Sequence, residues 1–428
     1  DAAAAKAVPG VVDVMQISRG VAVVAHNTWA AMKGREALQV VWDDSAAEAR
    51  SSQAMFTEYE ALSRQDGKAA LQRGDASGKL AKAAKTIEAT YRFPYLAHAA
   101  MEPLNAVIHK DGERLHIHGG LQMPDAVQAA CAQIAGVKPD QVELHVMKTG
   151  GGFGRRAVAD CDVFVEATEI AKALDFRAPL KLQWPREADM TGGRYRPLHV
   201  HRVRVGLDAD GGISGWQHHI VGQSIMAGTP FESMMMKDGI DPTSVEGVAD
   251  TPYALPDIDV HATHPPSPVP VLWWRSVGHT HTAYVMQTML DEIATATGKD
   301  PVALRLALLP DDARERAVLS LAAEKAGWSQ PVAAGRFRGV AVHQSFGSYV
   351  ATVAEISKTA DGGIKVERCV VASDCGVVIN PDVVRAQLEG GTGFGLSAML
   401  GERLTLDNGA ATERNYDAYR VLRIDAMP

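Results

Sequence analysis

Apolar residues recur along this chain at two periods, and the changes between them mark its elements. Val21-Ala22-Val23-Val24-Ala25 is a short unbroken run of the buried-strand kind, and Asn27 or Thr28 is placed to cap a helix through Arg35. Leu38 to Trp42 is a second run, so residues 8–44 read as strand, helix, strand. Residues 45–85 are rich in Ala, Lys, Ser and Gln with few large apolar groups, which predicts a surface connection between domains. Leu115-His116-Ile117-His118 alternates at period two with both histidines on one face. Pro124 opens a helix over 124–135 that Gly136 ends. Val142 to Met147 alternates again and runs into Gly150-Gly151-Gly152-Phe153-Gly154, after which Ala159 to Leu174 has the helical period.

The second half follows the same grammar. Residues 180–224 are strand-like, with a turn at Asp208-Ala209-Asp210-Gly211-Gly212. Residues 225–270 are dense in Met, Pro and Asp and predict a long ordered excursion. Helices follow over His279–Thr297, from Pro301 to near Leu309, and over Ala313–Ala326. The last hundred residues return to strands, broken at Asp361-Gly362-Gly363, with a glycine-rich helix from about 382 to 400. No strong internal repeat is present.

Composition narrows the classes. At 428 residues the chain exceeds one ordinary core, which predicts two to four domains. Apolar residues are 46% and charged residues 22%, the profile of a globular protein. A net charge of −8 with no basic stripe argues against nucleic acid, and no apolar run approaches the length of a membrane span. Cys131, Cys161, Cys369 and Cys375 form no C-x-x-C pair, so this chain is expected to carry no iron–sulfur cluster. Both ends read as cut, with no targeting segment to judge.

Three segments carry candidate chemistry. The triple glycine lets backbone approach a ligand and aims N–H groups at an anion, with Arg155 and Arg156 adding charge. It matches neither G-x-G-x-x-G nor G-x-x-x-x-G-K-[ST], and a tight strand-to-helix turn explains it equally well. Trp273-Trp274-Arg275-Ser276-Val277-Gly278 offers aromatics beside a cation, or a packed tryptophan pair with a surface arginine. Gln387-Leu388-Glu389-Gly390-Gly391 gives a helix a small face, for a cofactor or for close helix packing. The histidine pairs 199/201, 218/219 and 279/281 lack the i, i+4 spacing of a zinc helix, so no protein-ligated metal is expected.

In order, Met147 to Arg156, Trp274 to Gly278, and Asn380-Pro381 to Gly390 resemble the molybdenum-binding large subunit of the xanthine oxidase family. The match is to its isoquinoline 1-oxidoreductase beta subunit and bacterial aldehyde dehydrogenase branch. Tyr95-Leu96-Ala97-His98-Ala99-Ala100-Met101-Glu102-Pro103 and Asn415 to Val421 fit the same branch, so the resemblance spans nearly the whole chain. It implies an α+β, multidomain molybdopterin-binding fold that starts with a partial α/β-hammerhead. The implied division is 1–84 for that hammerhead and its connection, 85–320 for a first cofactor domain, and 321–428 for part of a second. It implies that Gly151, Gly152, Phe153, Gly154 and Arg155 lie by the cofactor, that Gln387, Gly390 and Gly391 contact the pterin dinucleotide, and that Arg275 faces substrate. The implied cofactor is molybdopterin cytosine dinucleotide with molybdenum held by the pterin, not by side chains.

The implied reaction is hydroxylation of an electron-poor carbon, on an N-heterocycle or an aldehyde, with oxygen from water. Electrons leave to a small partner subunit with [2Fe-2S] clusters. Relatives of this branch imply a bacterial protein, periplasmic or membrane-associated, completed by further large-subunit segments. The family's catalytic glutamate belongs to a G-x-G-E-P-type segment absent from this sequence, and neither Glu102 nor Glu389 takes its place. Leu96 stands where purine-oxidising relatives carry glutamine, which argues against purines. Two rival readings are a flavin- or nucleotide-binding protein using the glycine loop, and a non-catalytic chain that needs a partner polypeptide to complete its site.

Overall fold

The computed structural model describes residues 1–428, which divide into two compact units. One takes residues 1–48, 97–194 and 268–274; the other takes 49–96, 195–267 and 275–428. Neither unit is one continuous stretch of chain.

In the first unit a hairpin pairs Val11–Ile17 with Gly20–Ala25, and the helix Thr28–Ala37 follows. Asn27 caps that helix by accepting from the Ala30 amide at 2.9 Å. Leu38 to Trp42 does not form the expected strand. The segment has no ladder partner, and Val41 and Trp42 point outward, 99% and 67% exposed.

The main sheet of this unit has the order Val142–Val146, Arg114–Gly119, Asn105–Asp111, Leu180–Gln183. The first pair is parallel and the others antiparallel. Helices Pro124–Ala135 and Asp162–Ala173 cover one face, burying Ile108, Leu115 and Ile117 against Val127, Cys131, Phe164 and Ala167. Because side chains alternate across a strand, His116 and His118 stand on the opposite, half-buried face. The second helix starts at Asp162, three residues later than its pattern suggested, since Cys161 sits in the left-handed region (φ +50°) ahead of it.

The second unit is built on five strands in the order Lys68–Arg73, Ile258–Thr263, Ile213–Gly222, His199–Leu207, Lys85–Phe93. All pairs are antiparallel except Ile213–Gly222 with Ile258–Thr263. The helix His279–Thr297 lays Val285, Met286, Met289, Leu290 and Ile293 on the core that holds Trp216, Val203 and Val260. Residues 45–85 are therefore not a plain connection. They form the helix Ser52–Leu62, which buries Met55 and Tyr59, and an edge strand of this sheet.

Residues 225–270 are ordered, as expected, and include the sheet strand Ile258–Thr263. Their anchor is Asp241, fully buried, whose Oδ2 accepts from Ser224 Oγ at 2.7 Å and from the Ile225 amide at 3.0 Å. The strands Arg336–Ser345, Ser348–Lys358 and Ile364–Asp374 form an antiparallel meander. After it, Asn380 caps the helix Pro381–Leu400.

Candidate functional site

The glycine loop leaves the strand Val142–Val146 and is tied down from three sides. Glu102 Oε2 accepts from the Gly150 amide at 2.6 Å, and the Glu102 amide donates to the Gly150 carbonyl at 3.2 Å. Gln122 Oε1 accepts from the Gly154 amide at 3.2 Å. Arg156 reaches back to the carbonyls of Gly151 (2.9 Å) and Gly120 (3.2 Å) and to Glu102 Oε1 (3.2 Å). The loop turns through φ +108° at Gly151, +56° at Phe153 and +105° at Gly154, values that residues with a side chain adopt only under strain. At Gly154 a Cβ would stand 2.5 Å from the Trp273 carbonyl oxygen.

Trp273 and Trp274 form the wall. His98 Nε2 lies 2.9 Å from the Trp273 carbonyl, and Trp274 Nε1 donates to the Ala97 carbonyl at 3.3 Å. Burial lowers the His98 pKa to about 3, against the opposing effect of that hydrogen bond, so His98 is a neutral positioning group. Glu102 is engaged by Gly150, Asn105 and Arg156. Burial raises its pKa, but those hydrogen bonds and the arginine charge outweigh burial and hold it below the usual carboxylate value. A carboxylate so occupied holds backbone in place and is a poor proton acceptor.

Arg155 stands apart. It is buried and donates through Nη2 to Asp162 at 2.8 Å, yet its Nε and Nη1 meet no acceptor in the chain. Orphaned buried guanidinium donors carry a large desolvation cost unless a ligand answers them. No backbone acceptor takes the Gly151 and Gly152 amides either. A glycine-rich, strained loop whose Gly151 and Gly152 amides are unanswered, with the Phe153 ring beside Gly151, fits an anionic, flat-faced cofactor.

In the second unit, Arg275 Nη2 donates to the Gln387 side-chain oxygen at 3.2 Å and to its carbonyl at 3.4 Å. Its guanidinium carbon lies 5.8 Å from the Phe394 ring centre. A Cβ on Gly391 would stand 3.4 Å from Nη2, whereas one on Gly390 would meet open space. Arg275, Gln387 and Gly391 are thus one constellation, and the glycine loop with Arg155 is another, each within its own unit. Glu102, Gln122, His98 and Arg156 are the loop's positioning residues. Of these, Gln122 gave no sequence signal, being a lone amide just past a strand.

Ser276 and Val277, directly after Arg275, both take positive φ, +73° and +50°. The segment is held there by Glu246, whose Oε1 accepts from the Gly278 amide at 2.7 Å. Burial pushes the Glu246 pKa up to about 7, with Asp250 and Asp241 adding to the rise and the Gly278 and His279 amides opposing it; His279 Nε2 lies 3.7 Å away. A raised carboxyl pKa stabilises the fold fully below the ordinary 4.5, and that stability is lost as pH climbs through about 7. Glu246→Gln keeps the acceptor and removes the titration. Its unfolding midpoint should therefore fall less between pH 5 and 8 than that of the unaltered protein; equal slopes would reject the assignment.

The paired histidines do not gather around a vacant point. His201 Nδ1 lies 2.8 Å from His218 Nε2, its Nε2 lies 2.9 Å from His281 Nδ1, and His199 stacks on His281 at 3.9 Å. All four are buried, and burial lowers their pKa values, so they form a neutral core chain.

Residues 61–308 match a family model described as a molybdopterin cofactor-binding domain, and residues 306–428 match a second of the same description. The chain is 30% identical over 448 residues to isoquinoline 1-oxidoreductase subunit beta of Brevundimonas diminuta, covering 100% of this chain and 56% of that protein. It is 27% identical over 451 residues to a membrane-bound aldehyde dehydrogenase of Gluconacetobacter polyoxogenes, covering 97% and 57%. The chain spans about half the length of the curated relatives it matches. Its fold is similar to that of quinoline 2-oxidoreductase from Pseudomonas putida 86, with a TM-score of 0.79 at 14% identity over 100% of this chain and 84% of that one.

Proposed function

This chain belongs to the xanthine oxidase family of molybdenum-binding large subunits, and from that premise we propose that it serves a molybdenum hydroxylase acting on an N-heteroaromatic compound or an aldehyde. The observation that carries the reading is Arg155, whose buried Nε and Nη1 lack an acceptor beside a loop of three glycines. Gly151, Gly152, Phe153, Gly154 and Arg155 would hold the cofactor, and Gln387, Gly390 and Gly391 are the residues we propose for contact with its dinucleotide. When bound, the molybdenum cofactor supplies the two-electron oxidation of the substrate carbon, with oxygen from water. Arg275, oriented by Gln387, offers fixed positive charge where the substrate carbonyl or ring nitrogen gains negative charge. The relative acting on isoquinoline by name, and the aldehyde dehydrogenase, support these two substrate classes over others.

Molybdopterin is the cofactor class of the matched domains, and the cytosine dinucleotide is the form we propose. The acceptor of electrons is proposed to be a small subunit with [2Fe-2S] clusters, and the setting bacterial, periplasmic or membrane-associated. No helix of this chain is long and apolar enough to cross a membrane.

The test is elemental analysis of the purified full-length enzyme, alongside its Arg155→Gln variant. The expected result is about one molybdenum per large chain, iron in a co-purifying small subunit, and reduced molybdenum in the variant with folding intact. Flavin absorbance without molybdenum in a matured preparation would instead support a nucleotide-binding role for the loop.

A further inference from the structure

The open face of the four-stranded sheet carries a second cluster that the cofactor site does not use. Register explains it. His116 pairs with Glu143 and His118 with His145 across the parallel strands, and His109 pairs with His116 across the antiparallel ones. Side-chain alternation puts all five on the face opposite the buried Leu115 and Ile117. His116 Nδ1 lies 3.2 Å from His145 Nε2. Glu143 Oε2 lies 3.6 Å from His116 Nδ1, and Glu143 Oε1 lies 3.6 Å from His145 Nε2.

We propose that His116, Glu143 and His145 form a binding site for a divalent transition metal, zinc foremost, on this sheet. Zinc bonds of about 2.0–2.2 Å to imidazole nitrogen and carboxylate oxygen put the donors of a tetrahedral site about 3.3–3.5 Å apart. The two imidazole nitrogens, 3.2 Å apart, lie close to that range, each lies 3.6 Å from a different oxygen of Glu143, and one donor atom from each residue lies within 4.8 Å of the others. Two neutral imidazoles and one carboxylate are a donor set that suits zinc, and water completes the fourth position. The site is open to solvent: side-chain exposure is 19% for His116, 33% for His145 and 47% for Glu143, so an ion can enter. His118 stacks on the His145 ring at 4.1 Å and His109 on the His116 ring at 5.4 Å, and both restrict ring rotation. Arg114 Nη1, 4.0 Å from Glu143 Oε2, competes for the carboxylate and sets a limit on affinity.

Its consequence is local order. Zinc joins the strand Val142–Val146 to Arg114–Gly119 a few residues before the chain enters the glycine loop. A ligand held only by the folded state stabilises that state, so zinc raises the stability of this unit.

The experiment is equilibrium dialysis of the full-length enzyme against Zn²⁺ alone, with metal content measured afterwards and thermal unfolding followed in parallel. The expected result is one zinc per large chain beyond any bound by a His116→Ala/His145→Ala double variant, together with a zinc-dependent rise in Tm that the double variant lacks. Glu143→Gln, a milder change at a half-exposed carboxylate, serves if the double variant does not fold; it should weaken zinc by at least about tenfold. Zinc binding of equal stoichiometry and strength in all three proteins would overturn the proposal and leave the 3.2 Å His116–His145 contact as an ordinary hydrogen bond.

Discussion

Replacing Arg275 by alanine is expected to lower kcat by ~10²–10³ while molybdenum content stays unchanged. The guanidinium is held before any substrate arrives, by two acceptors on Gln387 and by the Phe394 ring. Its charge therefore needs no reorganisation at the moment of reaction, which is the condition under which a fixed charge contributes most. Partial burial lowers the Arg275 pKa, but an arginine stays protonated and the charge stays in place. Arg275→Lys should recover only part of the rate, because a point charge on a flexible stem cannot keep both Gln387 contacts. KM is the discriminating quantity. A contact made chiefly in the transition state lowers kcat and kcat/KM together, whereas uniform substrate binding raises KM alone. Unchanged turnover with intact molybdenum would remove the role altogether.

Gly154→Ala is the second large effect, and it acts on cofactor loading and stability together. The backbone at φ +105° costs an alanine about 1–3 kcal/mol by itself. The new methyl would also stand 2.5 Å from the Trp273 carbonyl oxygen, a backbone atom that cannot rotate away. That same oxygen lies 2.9 Å from His98 Nε2, so relief of the overlap strains a buried histidine's contact as well. The expected outcome is a Tm lower by several degrees and a large fall in molybdenum per chain. Wild-type Tm and metal content in this variant would show that the loop neither is strained nor touches the cofactor.

How much of this was legible in the sequence depended on whether a segment's physics is local. The glycine loop and the helices His279–Thr297 and Pro301–Leu308 were readable because turns, caps and helical periodicity act within a few residues. Asn27 as a cap is the same kind of signal. The strand Lys68–Arg73 was not readable. It lies at the sheet edge, where Lys68, Ala69, Gln72 and Arg73 face outward, so no alternation marks it. Leu38 to Trp42 misled in the opposite direction, since an apolar run becomes a strand only where a partner edge lies beside it. The order of residues 225–270 comes from Asp241 gathering donors from both sides of the excursion, and a single aspartate among many leaves no pattern. At the site, the types Gly, Arg and Gln were visible, but Gln122 as the acceptor for Gly154 is a long-range relation that no spacing encodes. The His116–Glu143–His145 cluster was hidden likewise: one strand showed two histidines on a face, and the parallel register that brings the other strand beside it is set by the fold.

The discontinuity of the first unit bears on how the protein is made. Its sheet and glycine loop are complete by residue 194, yet residues 268–274, which include the wall at Trp273, belong to the same unit. At a synthesis rate of about 5–20 residues per second, Trp273 leaves the ribosome roughly 6–24 s after Gly154. For that interval the nascent loop has neither its wall nor the His98 contact that wall provides. During synthesis this loop therefore takes its final surroundings only after residues 268–274 have emerged, well after its own sheet is complete.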